Sequence, residues 1–142
     1  MMEDAVLLER HGAVALLTMN LGAKRNALAP ELYSSSPGTS RRYRSVRARV
    51  LTGGVHFCGL DTNPQTMRND VRQGHRVIRE IICSRLPVVA AVQGAAFGAG
   101  LSLASVCDFV IADKTAQLGA GYGKVGVMPD WACSGPCPGG SA

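Results

Sequence analysis

Absences bound this sequence before any motif does. Its five cysteines, at 58, 83, 107, 133 and 137, include no CxxC pair and form no cysteine–histidine set at zinc-ligand spacing. Reduced structural thiols are therefore expected, not disulfides or a zinc site. The start, Met1-Met2-Glu3-Asp4, is acidic and has no apolar h-region behind it. No secretory signal is visible, and the expected location is cytoplasmic. There is no Walker A loop, because Gly123-Lys124 is followed by Val125 where Ser or Thr belongs. Gly98-Ala99-Gly100 opens a GxGxxG, but Leu103 occupies the third glycine position, so the dinucleotide fingerprint fails too.

Charge is not spread through the chain. The net charge is +5, and Arg41, Arg42, Arg44, Arg47 and Arg49, all within nine residues, account for the whole of it. The basicity is one local cluster: a solvated loop ahead of a strand, or a patch that meets phosphates. With 46% hydrophobic and 18% charged residues the composition is globular and excludes disorder overall. A length of 142 residues allows one domain with a modest core.

What is present centres on Pro87 to Asp113, PVVAAVQGAAFGAGLSLASVCDFVIAD. Val88 to Val92 reads as a strand buried on both faces. Gly94, Gly98 and Gly100 follow as a glycine turn. Leu101 to Val106 reads as helix, and Phe109 to Ala112 as a second strand. Glycines at such a junction let backbone N–H groups approach a ligand, and the start of the helix adds unpaired donors. Leu86 to Cys107 is also 22 residues without charge, with a GxxxG pair at Gly94 and Gly98. Pro87, Gln93, the glycines and the excess of Ala and Val over Leu argue against a membrane span.

Ala5 to Leu8 and Val14 to Met19 predict a β-hairpin with Gly12 in the turn and His11 as a turn residue. Val46 to Leu51 alternates as a strand. Met67, Val71, Ile78, Ile81 and Ile82, with Arg68, Arg72, Arg76 and Glu80 between them, predict an amphipathic helix over about residues 66–85 that carries His75 half-exposed. The run from Ser34 to Ser40, with Pro37 and Gly38, breaks any helix begun near Pro30. Residues 132–142, rich in Gly and Pro, read as a disordered tail.

The stretch Pro87–Asp113 resembles the signature of the enoyl-CoA hydratase/isomerase (crotonase) family, P-x-[IV]-A-A-[VI]-x-G-x-A-x-G-[GA]-G-x-x-L-x-x-x-C-D-x-x-x-A. Two further segments are similar to family loops: Arg25-Asn26-Ala27-Leu28, and the run from Leu51 to Asp61. The resemblance implies an α/β fold, a spiral of β-β-α repeats. Residues 1–131 would form a partial acyl-CoA-binding core, incomplete because the C-terminal helical region of the family is missing. It also implies an enzyme of fatty acid metabolism that binds an acyl-CoA thioester and holds the thioester oxygen on two backbone N–H groups. By alignment these belong to Cys58 and Ala99. Lys24 would face a phosphate of coenzyme A, and Asn26 and Ala27 would line its site, with Asn26 fixing the loop or capping the helix near Pro30. Gly59, Leu60, Asp61 and Gly98 complete the implied binding surface. His56 is expected to be structural, and Asp108 belongs to the C-D signature.

The same alignment puts Ser102 and Tyr122 where hydratases carry their two glutamates. Neither is a carboxylate, and a tyrosine with a pKa of about 10 is a poor base near neutrality. Hydration is therefore expected to be impaired, with Asp61 and Asp130 as the other carboxylates in reach of consideration. The resemblance implies no cofactor beyond the coenzyme A thioester as substrate. Acyl-CoA is the expected partner, with no nucleic acid and no membrane span. A homo-oligomer is not expected, because the helices that build the family's trimer are absent. Apolar surface left uncovered by those helices carries a risk of aggregation. Three readings stand: an enoyl-CoA hydratase/isomerase-type enzyme, a non-catalytic acyl-CoA binder, and an inactive truncated or frameshifted product.

Overall fold

A computed structural model describes residues 5–22, 26, 46–52 and 63–125. Two apolar runs, β1 (Val6–His11) and β2 (Val14–Met19), form the expected hairpin, antiparallel from Val6 opposite Met19 to His11 opposite Val14. Gly12 turns the chain at φ +61°, a left-handed value that glycine adopts without strain. His11 ends β1, paired with Val14, and its Nε2 lies 3.6 Å from Glu9 at the surface. The next strand, β3 (Ala48–Thr52), starts two residues later than the alternation suggests and pairs parallel to β2.

Helix α1 (Pro64–Ile82) covers most of the stretch expected to be helical. Asn63 caps its start, accepting from the N–H groups of Gln65 and Thr66, and Pro64 supplies the φ that suits the first helical position. The helix ends three residues earlier than expected. Cys83 donates to Arg79, and the hydroxyl of Ser84 both donates to and accepts from the backbone of Leu86, turning the chain toward Pro87. Cys83 is disulfide-bonded, whereas Cys107 is a free thiol. This corrects the expectation that all thiols are reduced: a disulfide needs proximity in space, which spacing along the chain does not report.

From Pro87 the chain runs twice through one repeat. Strand β4 (Val88–Val92) enters the large sheet, β5 (Ala95–Phe97) enters a small sheet, and α2 (Ala99–Ser105) returns. Strand β6 (Phe109–Ala112) then joins the large sheet, β7 (Gln117–Gly119) the small one, and the one-turn α3 (Tyr122–Val125) follows. The large sheet has the order β1-β2-β3-β4-β6, parallel except for β1, and β5 pairs parallel to β7. A single glycine turn between β4 and α2 is thus replaced by a short strand. The expected run buried on both faces is also asymmetric: Val88, Ala90 and Val92 are buried, while Val89 and Ala91 are only half-buried.

The core lies between the large sheet and the two main helices. Ile78 of α1 meets Ala5, Met19, Ala99 and Leu103, while Ala104 packs with Ala90, Val92 and Ala96. Alanine and glycine on α2 let it lie close to β4 and β5, so five of its seven residues are buried. A void of about 20 Å³ between sheet and α2 has only apolar side chains on its walls, among them Met19, Leu51 and Leu103. It is a packing gap too small and too apolar for a ligand. The uncharged run from Leu86 to Cys107 is divided among two strands and a short helix, and among the described residues no helix is long and apolar enough to cross a membrane.

Candidate functional site

The site begins at Gly98, the residue between β5 and α2. Its φ of +56° with ψ −119° lies where an L side chain is strained, so this turn requires glycine. Its N–H donates to Gly119 O at 3.0 Å, tying the turn to the end of β7. Ala99 follows, buried at 4% exposure and first in α2. Its N–H has no intrahelical acceptor, and no acceptor among the described residues takes it. One turn on, the Ser102 N–H donates to Gly98 O at 3.0 Å.

Ser102 and Tyr122, twenty residues apart, meet here. Ser102 Oγ and Tyr122 OH lie 2.9 Å apart, with either atom able to donate, and the two residues are 5% and 6% exposed. The two positions that the alignment equates with family glutamates are thus brought together, as a neutral hydroxyl pair. Such a pair satisfies its own buried polar atoms but offers no carboxylate to take or deliver a proton near neutral pH.

Asp108 stands apart from this chemistry. Its Oδ2 accepts from Val88 N–H at 2.7 Å and its own N–H donates to Val88 O at 2.9 Å, so it ties β6 to the start of β4. Beside it, burial, and secondly the Asp108 charge, push the Cys107 thiol up to about 11. Asn26, the other described residue of the implied binding surface, closes a loop. Its Oδ1 accepts from Leu21 N–H at 2.6 Å, its N–H donates to Leu21 O at 2.8 Å, and its φ is +52°, a left-handed value asparagine tolerates. Lys24, Ala27, Cys58, Gly59, Leu60 and Asp61 lie outside the described residues, as do His56, Asp130, the segment near Pro30 and residues 132–142. What sequence reading missed is the segment Gly119–Tyr122 as a support. Its signal was there in Gly119 and Gly121 just ahead of Tyr122, but three-residue strands show no periodicity.

Comparison with known proteins gives this geometry a context. The chain is 33% identical over 139 residues to 2,3-dehydroadipyl-CoA hydratase of Escherichia coli K12, an alignment covering 87% of this chain and 52% of that protein. A probable enoyl-CoA hydratase of Rhizobium meliloti is 31% identical over 135 residues, with 89% and 52% covered. Among solved structures, an enoyl-CoA hydratase from Polaromonas sp. JS666 superposes with a TM-score of 0.81 at 31% identity, covering 89% of this chain and 55% of that one. A Thermobifida fusca YX protein solved in complex with acetoacetyl-CoA shares the fold at 23% identity and a TM-score of 0.76, with 92% and 59% covered. The chain spans about half the length of the curated relatives it matches. The family model described as enoyl-CoA hydratase/isomerase matches residues 9–137, and the chain belongs to that family.

Proposed function

We propose that this chain binds an acyl-CoA thioester, with the thioester oxygen held by the backbone N–H groups of Cys58 and Ala99, in the chemistry of fatty acid metabolism. The observation that carries the reading is the buried Ala99 amide, set behind a glycine in a conformation only glycine takes easily. Two such donors fixed in place stabilise an enolate far better than water does, and removing one costs about 2.7–4 kcal/mol in other acyl-transfer sites. The E. coli relative acts on a CoA thioester by its name, and a protein of the same fold holds acetoacetyl-CoA. Lys24, Asn26, Ala27, Gly59, Leu60, Asp61 and Gly98 complete the proposed binding surface, and the thioester enters as substrate with no further cofactor.

One observation favours binding with little or no turnover. The hydroxyls of Ser102 and Tyr122 bond to each other where hydration needs two carboxylates. Each lost general acid–base group costs a rate factor of about 10²–10⁴. A crotonyl-CoA hydration assay run beside calorimetric titration with a long-chain acyl-CoA tests both statements. Binding with hydration at least a hundredfold below a family hydratase is the expected result. Full turnover would refute the impairment, and absence of both binding and turnover would refute the thioester site.

A further inference from the structure

We propose that Tyr122 is a positioning residue for the Ala99 amide, acting through Ser102: it braces the thioester-binding turn and takes no part in proton transfer. The inference rests on the thioester reading above and gives a role in it to a side chain that this reading leaves without chemistry.

One segment, Gly119–Tyr122, grips the turn Gly98–Ser102 at both ends. At the near end Gly98 N–H donates to Gly119 O at 3.0 Å; at the far end Ser102 Oγ meets Tyr122 OH at 2.9 Å. The Ser102 N–H bond to Gly98 O closes the turn on itself, so the two anchor points belong to one rigid loop of backbone with Ala99 inside it. The gripping segment passes close over this loop. Gly121 has φ +62°, and a Cβ there would lie 4.0 Å from Gly98 N. With both anchors in place the direction of the Ala99 N–H is over-determined. Without the Ser102–Tyr122 bond, α2 keeps its apolar packing and the Gly98–Gly119 bond, but the turn that carries the Ala99 N–H loses one of its two polar anchors. A buried hydroxyl pair suits such a brace, because each hydroxyl can both donate and accept. Misplacement of a reacting group by about 1 Å can cost a hundredfold, so a brace of this kind matters even without touching the ligand.

Tyr122→Phe keeps the ring and deletes only the hydroxyl. The test compares the unaltered chain, Tyr122→Phe, Ser102→Ala and the double variant. Three readouts are used: affinity for CoA alone, affinity and ultraviolet absorbance of bound acetoacetyl-CoA (whose enolised dicarbonyl reports the polarised oxygen), and hydrogen exchange at the Ala99 amide. In each single variant, acetoacetyl-CoA affinity should fall about five- to tenfold, the worth of one hydrogen bond, with the enolate band weakened. CoA affinity should be unchanged, Ala99 exchange faster, and the double variant no worse than either single. Equal affinities and an unchanged band in Tyr122→Phe, with only a lower melting temperature, would make the bond a plain strut and overturn the proposal. If the unaltered chain binds neither probe, the thioester reading itself falls and takes this inference with it.

Discussion

Cys107 shows how far one side chain's surroundings decide its chemistry. Its sulfur donates to Leu103 O at 3.4 Å, and burial first, then the neighbouring Asp108 charge, raise its pKa from 9.0 to about 11. Because only the thiolate is nucleophilic, the folded chain should resist alkylation here. At pH 8 Cys107 is expected to react with iodoacetamide about a hundredfold more slowly than in the chain unfolded by denaturant, since the thiolate fraction falls tenfold per pKa unit. Peptide mapping by mass spectrometry measures both rates, and equal rates would show the thiol to be open to solvent. The sign for stability follows from the same shift. The folded state prefers the neutral thiol, so this contribution is whole below about pH 9 and is lost as pH rises toward 11.

Among the elements, β6 is fastened to β4 along its register and, at its start, by a side chain. It is the last strand of the large sheet, and Asp108 ties it to Val88 by two hydrogen bonds. Asp108→Ala leaves the Val88 N–H without that acceptor and should cost about 1–3 kcal/mol, read as a shift in the urea midpoint with an unchanged slope. A change below a few tenths of a kcal/mol would mean water replaces the carboxylate at no cost. The strands at Val88–Val92 and Phe109–Ala112 were legible residue for residue, because β-branched runs bounded by Pro, Gly and Asp have few other uses. Helix α1 was legible in its apolar spacing but not in its end, which Ser84 sets through hydrogen bonds to Leu86. Strands β5 and β7, three residues each, were not legible; they exist because Gly94 O and Gly119 O take N–H groups across the small sheet. The site divides in the same way. Alignment placed Ser102 and Tyr122 as separate glutamate substitutes, but their mutual bond is a product of two turns of the spiral stacking, which no spacing encodes.

At the scale of the whole molecule, the chain covers about half the length of its relatives, and the large sheet ends at β6, with no further strand beside it among the described residues. Phe109 and Ile111 are each 65% exposed and lie on the sheet face shared with Val89 and Ala91, and Val110 on the opposite face is 46% exposed. An apolar edge strand without lysine, proline or a bulge is a template for pairing with another chain. Among the described residues, β6 carries the two most exposed large apolar side chains. Concentration-dependent association should follow, and Ile111→Lys should suppress it by placing a charge on the open edge. Because Ile111 packs little, the same change should alter unfolding free energy by no more than about 0.5 kcal/mol. Light scattering against concentration, with Leu7→Lys as the control on the far edge strand β1, separates the two edges. Suppression by Ile111→Lys alone assigns association to β6. Suppression by Leu7→Lys alone would move it to the hairpin, where Leu7 at 39% is the exposed apolar side chain.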